Sequence, residues 1–193
     1  MMARPLVLLL ALLGAACARE YETFQPPPLD FADRPPIRFE VAKVSVRSAF
    51  EPKGAPPFIE HTLALSPEAA ARQLLEERLQ AAGGAGSVQA VIVDATITEE
   101  QVATTPGLRG YVTKEASARL DGRLKVRVDR LDEAGRVVSS ASTEVTRSSL
   151  IPEDAPYVQR QQIGHELVRD LVNDLDDGMA TNLRDTFGSI IES

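Results

Sequence analysis

Residues 118–129 read ARLDGRLKVRVD, and this stretch decides the fold. Ala118, Leu120, Gly122, Leu124, Val126 and Val128 alternate with Arg119, Asp121, Arg123, Lys125, Arg127 and Asp129. A period of two predicts an extended strand with one buried and one wet face, because successive side chains point to opposite sides. The turn Asp132-Glu133-Ala134-Gly135 follows, and the next strand carries Val137, Ala141 and Val145. Gly135 is available for positive φ, so the two strands predict a hairpin with a core on one side only.

On the N-terminal side of this hairpin, residues 88–98 begin with Val88, Ala90, Val91, Ile92 and Val93, apolar on both faces, as suits a central strand. Before them, Ser66-Pro67-Glu68 supplies a hydroxyl cap, a first-turn proline and an acid near the positive end of a helix dipole. Ala71, Leu74, Leu75, Leu79 and Ala82 form that helix's apolar stripe, with Gly83-Gly84 as its stop. Earlier still, residues 37–48 alternate at Ile37, Phe39 and Val41, then change phase to Val44 and Val46, which predicts one bulged strand. A helix between two strands implies a crossover, so these strands should pair in parallel. After Pro152-Glu153-Asp154-Ala155-Pro156 comes a helix of about 30 residues, with Ile163, Leu167, Val168, Leu171, Val172, Leu175, Met179, Leu183 and Phe187 on its apolar face. The prediction is an α+β two-layer sandwich of order β-α-β-β-β-α: a mostly antiparallel four-stranded sheet with two helices on one face.

The N-terminus carries a different signal. Arg4 precedes an apolar run from Leu6 to Leu13, small residues follow, and Cys17 is the only cysteine in the chain. Eight apolar residues are too few to cross a ~30 Å hydrocarbon core but match the short apolar region of a cleavable signal peptide. The stretch before Cys17 resembles a lipobox, in which the cysteine is acylated; Gly14 stands where that pattern prefers leucine, and Leu13 is one place further back. Ala16-Cys17-Ala18 also fits an ordinary signal-peptidase site that would leave a soluble periplasmic protein, and an uncleaved anchor is the third reading. Acylation would remove the liability of a free thiol in an oxidising compartment. Under the lipoprotein sorting pattern, Ala18 lacks the aspartate linked to inner-membrane retention, which points to the outer membrane. The expected organisation is a signal peptide over 1–17, a Pro-rich tether over 18–36 and one α+β domain over 37–193. The tether, with Pro26–Pro28 and Pro35-Pro36, would reach up to ~60 Å in extended geometry. Its alternative is a segment stapled to the domain by Tyr21, Phe24, Leu29 and Phe31.

Composition limits the function. The net charge is −7, and removing residues 1–17 subtracts only Arg4 from the 21 basic residues, leaving 20 against 28 acids and a net −8. Nucleic acid is therefore not expected as a partner. His61 and His165 are the only histidines, no thiol remains once Cys17 is acylated, and no spacing suits zinc, so no metal or cofactor is expected. Serines 139, 140, 142, 148 and 149 lie on a strand, and no Gly-x-Ser-x-Gly turn presents a nucleophile. Asp170, Asn173, Asp174 and Asp177 make an acidic stripe that reads as a solvated helix face. Two binding surfaces stand out. Residues 101–114 form a long connection carrying Leu108, Arg109 and Tyr111, suited to anchoring a protein partner. Arg119, Arg123, Lys125 and Arg127 form a basic comb able to meet an anionic envelope component, unless Asp121, Asp129 and Glu144 neutralise it.

The element order, with Ser66-Pro67-Glu68-Ala69-Ala70, Glu76-Glu77-Arg78-Leu79, Asp121-Gly122-Arg123-Leu124-Lys125-Val126 and Leu171-Val172-Asn173-Asp174-Leu175-Asp176, resembles small uncharacterised alphaproteobacterial envelope lipoproteins. More loosely it is similar to the YajG-type lipoproteins. The resemblance implies an envelope lipoprotein and transfers no catalytic residue. The expected function is a non-enzymatic binding or accessory module in envelope assembly or transport, lipid-anchored and facing the periplasm. The alternatives are a hydrolase-like periplasmic enzyme and an inhibitor of an envelope enzyme.

Overall fold

The structure is a computed structural model and describes residues 23–102 and 116–192. Its elements are β1 (Ile37–Phe39), β2 (Lys43–Ser48), α1 (Pro67–Arg78), β3 (Leu79–Ala81), β4 (Ser87–Gln101), β5 (Ala116–Leu131), β6 (Val137–Pro152) and α2 (Tyr157–Phe187). The main sheet has the order β2-β4-β5-β6, with β2 parallel to β4 and the other pairs antiparallel. A second, two-stranded parallel sheet joins β1 to β3. Both helices pack on one face of the main sheet, so the fold is the α+β arrangement that the periodicities predict.

The hairpin forms as read. Gly135 takes φ 76°, and the Asp132 carboxylate accepts from the Arg136 amide at 2.9 Å, closing the turn. Ala118, Leu120, Leu124, Val126 and Val128 are all buried under α2 and its neighbours. Val137 is the exception on the return strand: the register shifts at the turn, and Val137 is left exposed. In α1, the Ser66 hydroxyl accepts from the Ala69 amide at 3.1 Å, Pro67 opens the first turn, and Ala70, Ala71, Leu74 and Leu75 are fully buried.

Three expectations change. The first strand is two strands in two sheets. Ile37, Phe39 and Val41 are buried in alternation, but the chain bends at 40–42, where the Val41 amide donates to the Phe39 carbonyl at 2.8 Å. The phase change between Val41 and Val44 is this bend, not a bulge. The bulge lies instead at Val93 in β4, between Ile92 and Asp94; before it the strand is buried on both faces as read, with Val91 on the outward side as fully covered as Val88, Ala90 and Ile92. The inward set passes from Val88, Ala90 and Ile92 to Ala95 and Ile97 across it.

Secondly, α1 ends at Arg78, and Leu79–Ala81 turns extended to pair with β1. The glycines beyond it are not a helix stop. At Gly84 (φ +119°) a Cβ would lie 2.6 Å from the Glu40 carbonyl oxygen, and at Gly86 (φ +75°) 2.4 Å from that of Leu131. Only glycine lets the backbone pass between those two carbonyls.

Thirdly, the described part of the 18–36 segment lies on the domain. Leu29 and Phe31 belong to the core, and the Leu29 carbonyl accepts from Gln73 Nε2 of α1 at 3.1 Å. Arg34 donates to Asp176 at 2.5 Å and to Asn173 at 3.1 Å on α2. The prolines make the segment stiff, but its apolar and charged residues dock it as a strap.

Candidate functional site

The outward face of the main sheet is uncovered by helices and holds the comb. Each of its cations meets an acid. Arg119 donates to Asp121 at 2.7 Å and lies 3.6 Å from Glu100. Arg123 and Lys125 converge on Glu144 of β6, Lys125 at 3.0 Å, and Arg123 also lies 3.9 Å from Asp94. Arg127 donates to Asp129 at 3.0 Å, and Asp129 also accepts from the Ser140 hydroxyl at 2.6 Å. The register explains this: Lys125 stands opposite both Asp94 and Glu144, and Arg119 opposite Glu100.

These contacts act on the acids as charge pairing should. Hydrogen bonds from Arg123 and then Lys125 hold Glu144 below the ordinary carboxylate range. Partial desolvation works against ionisation of Asp121, yet the Ser148 and Arg119 hydrogen bonds leave it lowered as well. The guanidinium groups of Arg119 and Arg123 are correspondingly raised by their hydrogen bonds to Asp121 and Glu144. The comb is a ladder of alternating charge rather than a bare positive patch.

Leu108, Arg109 and Tyr111 lie outside the described residues, as does Cys17. The ends of the 103–115 connection are paired: the Val102 amide donates to the Ser117 carbonyl at 3.0 Å, and Gln101 stands opposite Ala118.

The acidic stripe of α2 is less solvated than its spacing suggests. Asp174 accepts two hydrogen bonds from Arg147 of β6, at 2.5 and 2.8 Å, which lower its pKa. Asn173 and Asp177 face Arg34 of the strap. Asp176, a residue the stripe omits, is the most important: its side chain is 2 % exposed and ion-paired to Arg78 at 2.8 Å and Arg34 at 2.5 Å. Its position on the buried side of α2, beside Leu175, was the available sequence signal.

His165, read as lying off the apolar stripe, is buried one turn before Val168 on the covered side of α2, and the Phe24 ring of the strap meets it edge-on at 5.8 Å. Burial, and next the charge of Arg169, push its imidazole pKa down, against the opposing pull of Glu166. An open groove of about 570 Å³ beside Arg130, Asp132, Arg136 and Val138, and a smaller one of about 230 Å³ beside Glu99, Tyr157, Arg160 and Gln161, both exclude it. Glu99 and Arg160 bind each other at 2.6 Å across the smaller groove. Glu60, buried in the turn before α1, has no hydrogen-bond partner on either carboxylate oxygen. Among the described residues no group of three or more His, Cys, Asp or Glu side chains is placed to hold a metal ion. No described helix is long and apolar enough to cross a membrane.

No family model and no curated protein matches the chain. Solved structures do resemble it. A minor lipoprotein from Acinetobacter baumannii is 12 % identical, with a TM-score of 0.37 over 78 % of this chain and 95 % of that one. A protein described as a lipoprotein from Caulobacter crescentus is 18 % identical, with a TM-score of 0.30 over 72 % and 90 %. The PelC dodecamer from Paraburkholderia phytofirmans is 13 % identical, with a TM-score of 0.24 over 71 % and 89 %. At these identities and scores no activity or partner carries over, and the YajG-type affinity rests on the sequence resemblance alone.

Proposed function

We propose that the protein is a lipid-anchored accessory module of the cell envelope that works by binding and not by catalysis. The observation that carries this reading is the short apolar segment closing on the sole cysteine, Cys17. Acylation there places the domain at a membrane surface facing the periplasm, and Ala18 favours the outer membrane. Metabolic labelling with a tagged fatty acid is the test. Wild type should take up label and Cys17→Ala should not; no uptake by either protein, or equal uptake, moves the protein to the soluble periplasmic reading.

The partner contact belongs to Leu108, Arg109 and Tyr111 rather than to the basic comb, because every comb cation already has an acid beside it. The length of the 101–114 connection supports this, since hairpin closure needs only two to five residues. Replacing all three by serine should leave the urea midpoint unchanged and abolish partner recovery from detergent-solubilised envelopes. A variant that unfolds would place these side chains in the core. One that folds and still recovers the partner would move the contact elsewhere, with the comb next in line.

A further inference from the structure

Three contacts fix the direction of the strap. Arg34 lies against Asn173, Asp176 and Asp177 of α2, at 2.5 to 3.4 Å. The Leu29 carbonyl is held by Gln73 of α1, and the Phe24 ring rests on His165. The strap therefore runs parallel to α2, and followed toward the N-terminus it passes from the C-terminal half of that helix toward Tyr157. The register of α2 against β6 is equally clear. Asp174 pairs with Arg147, and Asn182 Nδ2 donates to the Ser142 carbonyl at 2.8 Å. His165, nine residues before Asp174, thus lies level with the Pro152 end of β6, and the turn 132–135 is about 50 Å away along a strand rising ~3.3 Å per residue.

Chain length then limits where a lipid on Cys17 can sit. Seven residues separate Phe24 from Cys17 and span at most about 25 Å when fully extended. Tyr157, eight residues of helix or about 12 Å from His165, is within that reach. The hairpin turn is not. The described end nearest the anchor presents Leu150, Tyr157 and Val102 exposed; Val137 and Val138 are exposed at the far end too, so it is the reach of the chain from Phe24 that selects between the two ends. The first three share one end of the fold, Val102 and Leu150 flanking the start of β5 and Tyr157 opening α2 beside Ile151 on the helix-covered side.

We propose that this end of the domain, presenting Val102, Leu150 and Tyr157, docks against the bilayer leaflet that holds the lipid on Cys17, with the 132–135 turn pointing away. The proposal rests on the lipid-anchor reading above. It replaces a domain wandering up to ~60 Å from the membrane with one held end-on at its surface. Tyrosine suits that position, having an apolar ring and a polar tip at the headgroup level.

The chain contains no tryptophan, so a single one is a clean donor for energy transfer to dansyl-headgroup lipid in vesicles. Tyr157→Trp and Ala134→Trp place it at the two ends, both at exposed positions. Each protein is attached through Cys17, by its own lipid or, where it carries none, by a maleimide lipid on Cys17 of protein made in the cytoplasm from residue 17 onward, where no signal peptidase removes it. Flotation with vesicles before any coupling tests the anchor reading separately. Transfer should be several-fold greater for Tyr157→Trp than for Ala134→Trp. Equal transfer, or greater transfer from Ala134→Trp, overturns the end-on orientation whichever attachment was used.

Discussion

Replacing Asp176 by alanine is expected to lower folding stability by about 3–5 kcal/mol, a large part of the ~5–15 kcal/mol typical of a domain. The carboxylate is 2 % exposed and its main partner, Arg78, 7 %. Arg78 Nε donates to it at 2.8 Å, while Arg78 Nη1 is buried without any hydrogen-bond partner. Removing the acid leaves a guanidinium in the interior without its counter-charge, and that uncompensated charge dominates the cost. Arg34 responds differently, because its side chain is 30 % exposed and can turn to Asp177 and solvent. Arg34→Ala should therefore cost much less than Asp176→Ala. The pair Arg78→Met with Asp176→Leu should recover most of the loss, since neither partner then stays buried and charged. Urea unfolding of the four proteins measures all of this. A loss below ~1 kcal/mol for Asp176→Ala would falsify the assignment of a buried ion pair.

Gly122→Ala and Leu171→Ala should each destabilise the fold and together destabilise it by less than their sum. A Cβ at Gly122 would lie 2.5 Å from Leu171 Cδ1, 3.5 Å from Leu167 Cδ2 and 3.6 Å from Ile97 Cγ1. Overpacking of this kind costs roughly 1–3 kcal/mol. Leu171 is fully buried, and its truncation should cost roughly 2–5 kcal/mol in lost transfer energy and cavity. In the double variant the added methyl enters the space that Leu171 vacates, so a coupling of about 1 kcal/mol or more is expected from the cycle. Strict additivity would mean that α2 does not cross β5 at this glycine.

Much of the architecture was legible because it depends on local periodicity. The alternation at 118–129, the turn at Gly135 and the 3.6-residue stripe of α2 are each set by which side chains must leave water. The crossover helix required parallel pairing of its flanking strands, and β2 and β4 pair so. The cap at Ser66 was equally visible, since one hydroxyl and one proline suffice to define it.

What the tertiary structure alone decided involves groups far apart in sequence. Whether Leu79–Ala81 extends the helix or forms a strand depended on an edge offered by Ile37–Phe39, some 40 residues away. The contact of His165 with Phe24, and the pairing of Arg78 with Asp176 across 98 residues, were of this kind. The comb read as a cationic surface in one dimension because Arg119, Arg123, Lys125 and Arg127 share a strand face. Asp121 and Asp129 on the same strand, and Glu144 opposite, were already visible as acids able to neutralise it; the sheet added Asp94 and Glu100 from β4. The strap shows the same limit: proline fixes φ and so gives its stiffness in the sequence itself. Where it lies is set by the pockets that receive Leu29 and Phe31 and by a carboxylate on α2, and no local pattern encodes those.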